Sequence, residues 1–568
     1  MASLLGRLCL PHVPGVGWAR CAPGGPCLSQ ARLCSAGAFV QSVPPQEEAD
    51  SKVSAQKKTF SELQVERSEQ AQRTVLINCP ANINEKAFLK YLSHHGKIND
   101  HYFYESLGTY AVVEFSEKES IASLQDVTRT PYVEKECTIP FKSRIFTLSL
   151  KNPVTQGADR PSVHYHKQST ILCKDLLQKL CRADNVSNQL YTLMDECQLT
   201  EENTKLRFLA CSLIQDIARA YFPDSTVQPF GSSVNSFGKL GCDLDMLLDL
   251  GEIGRSPIRT NTGPFYVEYQ MKKVPLERTA TQRILSVIGD CIDNFGPGAM
   301  GVQKILNARC PLVKFSHQPT GFQCDLTVSN RAAIRCSELL YIYGSLDSRV
   351  RALVFSIRCW ARVHGITSSI PGSWITNFSL TMMALFFLQK RTPPIIPTLD
   401  QLKALADAED KHIINGNDCT FASNLKKIKP TENTETLHVL LNDFFEYFGN
   451  FAFNKNSINI RKGKEQNKPD SSPLYIHNPF EQGLNISKNV NQIQVERFVA
   501  LARECSWILQ KKDKSQSSLC NKKPWGLAAL LQPSIAKSSL KNKKQLALAS
   551  ERMQSLLDSL KINSAKRE

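Results

Sequence analysis

Apolar and polar positions change rhythm several times along the chain, and each change marks an element. Over residues 73–149, short β-rich runs at 74–77, 110–115 and 144–148 alternate with helical spacing at 85–92 and 116–124. That order predicts βαββαβ, a small sheet backed by two helices. Leu172, Leu176, Leu177 and Leu180 then recur at helical spacing, as do the apolar positions of 206–220, so residues 165–222 are predicted to be helices that precede a second sheet and pack with the helical domain. Strand-like runs follow at 245–250, 312–315 and 322–328, and from Ser337 to about Leu509 the pattern is again mostly helical. The predicted class is α+β: a palm-like mixed sheet with helices over 223–345, then a helical domain over 346–508.

The segment 71–150 resembles an RNA-recognition-motif domain, which stacks bases on aromatics of its central strands. Tyr110 keeps one such position, while Val112 and Leu76 stand where aromatics are expected. Each stacked base is worth about 1–3 kcal/mol, so two lost platforms predict weak independent RNA binding. A fold reused for protein contacts, with homodimerisation as the expected form, fits better. The polar stretch 46–70 before it reads as a linker with some helical tendency.

Charge narrows the partners. The chain carries 69 Lys and Arg against 53 Asp and Glu, a net +16 over 568 residues. Such an excess favours a polyanion through phosphate contacts and counterion release. The tail from Lys511 to Glu568 contributes 13 − 4 = +9 of it, and 509–568 reads as a basic, disordered tail. No apolar run approaches the roughly 20 residues of a membrane span. The best candidate, 380–388, is short, follows Thr376 and Asn377, and reads as a buried helix. The 19 cysteines lack paired zinc-site spacing, which suits a reducing compartment. Residues 1–46 contain no Asp or Glu, carry Arg7, Arg20 and Arg32, and are rich in Ser, Cys, Ala and Gly. A mitochondrial transit peptide over 1–45, and so a matrix location, is expected.

The candidate chemistry lies in Phe230-Gly-Ser-Ser-Val-Asn-Ser-Phe-Gly-Lys-Leu-Gly-Cys-Asp-Leu-Asp-Met-Leu-Leu-Asp-Leu250. Strand alternation sends Asp243 and Asp245 to one face. Carboxylates so placed repel unless cations lie between them. Hard oxygen donors suit Mg²⁺ or Mn²⁺ bridging a nucleoside triphosphate. Asp325, in Gly321-Phe-Gln-Cys-Asp-Leu-Thr-Val328, supplies a third carboxylate from a run that could pair beside the first. Three convergent carboxylates match a two-metal arrangement for phosphoryl transfer. Gly231 lets the backbone approach the triphosphate, and Ser232 can donate to its oxygens.

With these motifs the sequence, over roughly 165–505, resembles the non-standard poly(A) polymerase and terminal uridylyltransferase family of the DNA-polymerase-β-like nucleotidyltransferases. The acid-poor leader and degenerate RNA-recognition-like segment are similar to its mitochondrial members. The resemblance implies a palm and a helical domain with the nucleotide between them. Cys242 departs from the Ser usual before the first Asp. In Ile357-Arg-Cys-Trp-Ala-Arg-Val363, Arg358 and Arg362 match two family lysines that hold the triphosphate. In Gly372-Ser-Trp-Ile-Thr-Asn-Phe-Ser379, Asn377 is implied at the ribose or triphosphate and Phe378, where relatives have Tyr, under the base. In Tyr475-Ile-His-Asn-Pro-Phe-Glu-Gln-Gly-Leu-Asn-Ile-Ser-Lys-Asn-Val490, the resemblance implies Leu484 and Asn485 at the nucleotide, Leu484 standing where uridine-adding relatives carry a histidine against uracil. Leucine offers no such hydrogen bond, and adenine is the better fit. His477, seven residues away, reads as structural.

The resemblance thus implies template-independent addition of AMP from ATP to an RNA 3′ end in mitochondria. The rivals are a uridylyltransferase, differing only in base choice, and a silent RNA-binding scaffold. Three retained acids argue against the scaffold, since like charges destabilise an unoccupied site.

Overall fold

The structure is a computed structural model that describes residues 58–81, 83–128, 141–149, 165–166, 174–251, 277–328, 330–370, 372–512 and 524–532. The transit-peptide expectation and most of the basic tail lie outside these residues.

The chain opens with α1 (Phe60–Gln72), so the expected linker ends earlier than its polarity suggested. Thr59 and Glu62 form a capping box, and Phe60 is buried against Tyr341 with ring centroids 5.5 Å apart. A polar helix with one anchoring aromatic carries little periodic signal. Next come β1 (Thr74–Cys79), α2 (Glu85–Leu92), β2 (Ile98–Ser106), β3 (Gly108–Phe115), α3 (Glu119–Val127) and β4 (Ile145–Thr147), the expected βαββαβ order. A short β5 (Tyr165–His166), in a segment expected to be helical, pairs with β2 and completes the sheet β4-β1-β3-β2-β5.

Strand alternation gives this sheet two buried faces. Val75, Ile77, Phe103, Val113 and Phe115 pack with Phe88, Ile121 and Leu124 of the two helices. Leu76, Tyr102, Tyr104, Tyr110 and Val112 face the other way and share a core with Leu206, Leu209 and Leu213. The face that stacks bases in RNA-recognition motifs is therefore closed by the chain itself. Tyr110, read from sequence as a surviving base platform, is 7% exposed and stacks on Tyr104. The Tyr104 hydroxyl donates to the Pro319 carbonyl at 2.7 Å, and Ser106 donates to that of Gln318 at 2.9 Å. Arg144 reaches Asp216 at 2.7 Å and Ser212 at 2.6 Å. Substituting Leu76 and Val112 for aromatics suits close packing on a helix, and the expected protein contact is intramolecular at this face.

That helix is α6 (Glu201–Arg219), preceded by α4 (Lys174–Cys181) and α5 (Val186–Cys197). The three were expected to pack together on the helical domain. Instead α4 and α5 join the helical core through Leu180, Leu190 and Leu193, while α6 backs the second sheet. The second sheet is built from β6 (Thr226–Phe230), β7 (Leu244–Asp249), β8 (Ala299–Ile305), β9 (Leu312–His317) and β10 (Phe322–Val328), with α7 (Glu277–Phe295) inserted before β8. Its order is β6-β7-β10-β9-β8, with β7 and β10 parallel and the other pairs antiparallel. Leu244, Met246, Val313, Phe315, Cys324 and Leu326 point into the core under α6 and α7. The alternate positions are left for chemistry.

The helical region comprises α8 (Arg331–Leu346), α9 (Ser348–Val363), α10 (Asn377–Gln389), α11 (Leu399–Ala404), α12 (Leu437–Asn450) and α13 (Gln492–Lys512). Fully buried Trp360 packs on Phe445 and Phe498, its indole N–H donating to the Cys505 sulfur at 3.1 Å. Helix α10 is buried from Ser379 to Gln389, as its apolar run predicted. No helix among the described residues is long and apolar enough to cross a membrane. A last helix, α14 (Gly526–Leu530), corrects the reading of a wholly disordered tail: Leu527, Leu530 and Leu531 are buried in this core. Gln189 of α5 accepts from the Leu527 N–H at 2.7 Å, and a ring nitrogen of His364 meets the Leu530 carbonyl at 2.7 Å. Net basic charge across the tail masked this short apolar anchor.

Candidate active site

The parallel register of β7 and β10 sets Asp245 directly opposite Asp325, and the antiparallel register of β10 and β9 sets Asp325 opposite Lys314. Asp243 lies one residue before β7 begins. The strand pattern thus anticipated the pairing that brings Asp245 beside Asp325 but gave no sign of the lysine between its apolar neighbours Val313 and Phe315. Lys314 Nζ donates to Asp325 Oδ1 at 2.9 Å. Burial would lower its pKa, but the bond to Asp325 and the nearby Asp243 and Asp245 raise it.

The acids feel each other. Burial, then repulsion from Asp325 and Asp243, pushes the Asp245 carboxyl up to about 7. Burial also raises Asp243, with Lys314 opposing and Asp325 assisting. Hard oxygen donors whose like charges oppose one another fit a divalent cation. Among the described residues, no three His, Cys, Asp or Glu converge as a ready ligand set, so the fit rests on the chemistry of the donors.

The Gly231 loop is held from three sides. Gly231 has φ +64°, and a Cβ there would lie 2.7 Å from Asp245 Oδ2, so the glycine serves the carboxylate's space as well as backbone approach. Its N–H donates to Ser337 Oγ of α8 at 2.8 Å. Ser232 Oγ donates to Cys242 Sγ at 3.4 Å, which gives the unusual cysteine a hydrogen-bonding role. Fully buried Arg207 of α6 donates to the Cys242 carbonyl at 2.7 Å, the Asp243 carbonyl at 3.0 Å, Ser233 Oγ at 2.9 Å and Asn203 Oδ1 at 2.9 Å. Its guanidinium also sits 4.6 Å from the Phe322 ring centroid. A lone arginine inside an apolar helical run was the missed signal.

The expected Arg358 and Arg362 pair divides. Arg358 Nη1 donates to the Phe237 carbonyl at 2.7 Å, so it braces this loop, while Arg362 is exposed. Arg351, unnoticed in the sequence, donates to the Ser236 carbonyl at 3.1 Å. Asn377 is exposed and Phe378 half-buried on the first turn of α10, capped by Thr376. Leu484 is half-buried in a loop. Asn485 next to it is buried: Oδ1 accepts from the N–H groups of Ile476 and Ser487, and Nδ2 donates to the Leu474 carbonyl at 2.9 Å. That amide shapes the loop carrying Leu484, a different job from the expected nucleotide contact. His477 is held by Ser457 Oγ at 2.9 Å and the Gln482 carbonyl at 3.0 Å. The loop is tied to the palm by Arg309, which donates to both Glu481 oxygens at 2.9 and 3.0 Å.

A family model described as the central palm domain of mitochondrial-like poly(A) RNA polymerases matches residues 186–345. The mitochondrial poly(A) RNA polymerase of Mus musculus is 64% identical over 89% of this chain and 87% of its own length. The chain belongs to the mitochondrial poly(A) RNA polymerase family. The Homo sapiens member is equally similar, at 64% identity over the same shares. An RL domain model covers residues 59–129, which include α1 and most of the RNA-recognition-like sheet. A crystal structure of mtPAP in complex with ATPγS matches with TM-score 0.79 at 68% identity, covering 84% of this chain and 99% of that one. Its companion structures hold UTP, GTP and CTP. As in that family, this chain is a mitochondrial nucleotidyltransferase.

Proposed function

We propose that this chain adds AMP from ATP to RNA 3′-hydroxyl ends without a template, with Asp243, Asp245 and Asp325 as its metal-holding carboxylates. The observation that carries the reading is Asp245 opposite Asp325 on parallel neighbouring strands, beside a loop locked by Arg207, Ser337 and Arg358. Incubating the purified chain with a labelled RNA primer and each nucleotide singly, in Mg²⁺ or Mn²⁺, tests it. Extension with ATP is expected, and a ladder with UTP alone would make it a uridylyltransferase.

The metals, held by the three Asp, would activate the primer hydroxyl and neutralise the leaving pyrophosphate. The protein's share is positioning. Gly231 lets the backbone approach the triphosphate, Ser232 can turn its hydroxyl from the long bond to Cys242 toward the phosphate oxygens, and Arg362, exposed on α9, can turn toward them as well. Phe378 offers a ring for the base, Asn377 an amide for the sugar, and Leu484 an apolar wall.

Base choice rests on discrimination in the transition state. The mtPAP crystals hold all four kinds of base, so a related pocket admits each of them. A polar base edge buried without a partner costs about 1–3 kcal/mol. Leu484→His is therefore expected to raise the kcat/KM ratio for UTP over ATP by roughly tenfold or more, by the same magnitude. An unchanged ratio would place selection elsewhere.

A homodimer is part of the same reading. Since the Tyr104 face is closed, association falls to the outer surfaces of the RNA-recognition-like unit, where Tyr91 is 47% and Val127 60% exposed. Sedimentation of the full chain should give two protomers, and Tyr91→Glu with Val127→Glu should give one. A wild-type monomer would remove dimerisation from the proposal.

A further inference from the structure

Four side chains from four adjacent strands stand in one row across the open face of the palm sheet: Asp245, Asp325, Lys314 and Gln303, each opposite the next in register. Neighbouring strands lie about 4.8 Å apart, so the Lys314 ammonium is within one strand of Asp325 and two of Asp245. Its direction is fixed, because Val313 and Phe315 on either side are buried in the core. Of the cations near the acids, Arg207 is fully engaged with carbonyls and side-chain oxygens. Lys314 alone forms an ion pair with one of the three carboxylates among the described residues, and that carboxylate lies between Lys314 and Asp245 in the row.

We propose that Lys314 is the resident counter-ion of the catalytic row: its ammonium holds Asp325 while no metal is present and releases it when a divalent ion arrives with its nucleotide. This rests on the three acids being the metal site. The exchange is easy on the protein side, since the side chains of Lys314 and Asp325 are 37% and 25% exposed and such pairs are held weakly. An ammonium in the row also repels a bare divalent ion, so the site favours the metal bound to a triphosphate, whose negative charge offsets the lysine. Loading is thereby coupled to substrate, and the empty site is spared the repulsion of three uncompensated carboxylates.

The test is Mn²⁺ binding to the full chain, followed by electron paramagnetic resonance, with and without ATP, in wild type, Lys314→Met and Lys314→Arg. Removing a unit charge a few ångströms from a divalent site is expected to tighten binding of Mn²⁺ alone by about tenfold at low salt. The arginine variant, which keeps the charge, should bind as weakly as wild type. Lys314→Met should also melt at a lower temperature without metal and recover more of it than wild type on adding Mn²⁺. If its folding is compromised, shown by lost near-ultraviolet dichroism, Lys314→Gln carries the same measurement. Unchanged or weaker Mn²⁺ affinity in a folded neutral variant would overturn the proposal; if the KM for ATP then rises, Lys314 is a phosphate ligand instead. Failure of Mn²⁺ to bind any variant, even with ATP, would sink the metal-site reading on which the proposal rests.

Discussion

Asp325→Ala is expected to lower nucleotide addition by at least about 10³-fold, equivalent to roughly 4 kcal/mol of barrier, while the protein stays folded. The two effects separate because, on the proposed reading, this carboxylate serves the reaction while its charge opposes those of its neighbours. Asp325 pushes up the pKa of both Asp245 and Asp243, which means its charge disfavours theirs. Removing it relieves that repulsion. Against this stands the lost pair with Lys314, which is partly exposed and worth about 0–1 kcal/mol. The balance predicts a melting temperature within a few degrees of wild type, whereas on the proposed reading the metal loses one of its three carboxylates. Single-turnover primer extension with ATP and a thermal melt on the same preparation check both halves. Near-normal extension with an equal melt would remove Asp325 from the site. A melt lowered by ten degrees or more would mean that Asp325 supports the fold, and the kinetic loss could not then be assigned to chemistry.

The sequence made the central geometry legible because strand periodicity is a local property. Asp243 and Asp245 two apart at the head of an apolar run, and Asp325 within another, needed only the right pairing to meet. What escaped was set by packing between distant segments. Tyr110 has the identity of a base platform, and only the arrival of α6 and Tyr104 shows that it is covered. Arg358 and Arg362 share a helical face, yet Phe237 captures one and solvent the other. Asn485 lies beside Leu484 in the chain, but its amide is spent on three backbone groups and a serine hydroxyl. Such assignments depend on which carbonyl or N–H lies opposite, and periodicity carries no record of that. The anchor at 526–530 was hidden for another reason: five residues of apolar sequence are outweighed by the charge of the sixty around them.

Arg207→Met is expected to destabilise the protein by about 3–5 kcal/mol, in the upper tail for a single substitution, and to cut kcat more than it raises the KM for ATP. Methionine fills much of the same space, so the loss is one of hydrogen bonds and not of volume. Arg207 makes four, to Asn203, Ser233, Cys242 and Asp243, and each bond from a charged donor is worth about 1.5–3 kcal/mol. The stack on Phe322 adds roughly 0.5–2 kcal/mol. Part of this is offset because the buried guanidinium no longer has to be stripped of water, a cost of several kcal/mol. The remainder falls on the loop that ends in Asp243, whose carbonyl and that of Cys242 lose their donors together. Asp243 then enters β7 from a looser loop, and the catalytic metal should need a higher concentration to reach half-maximal activity. Arg219→Met is the control on the same helix, since Arg219 makes a single bond to the Ser225 carbonyl and should cost about 1 kcal/mol. Denaturant titration gives the two stabilities, and Mn²⁺ titration of initial rates shows whether the metal midpoint moves. If Arg207→Met costs no more than Arg219→Met and leaves the metal midpoint in place, the clamp is incidental and the loop is held by Ser337, Arg351 and Arg358.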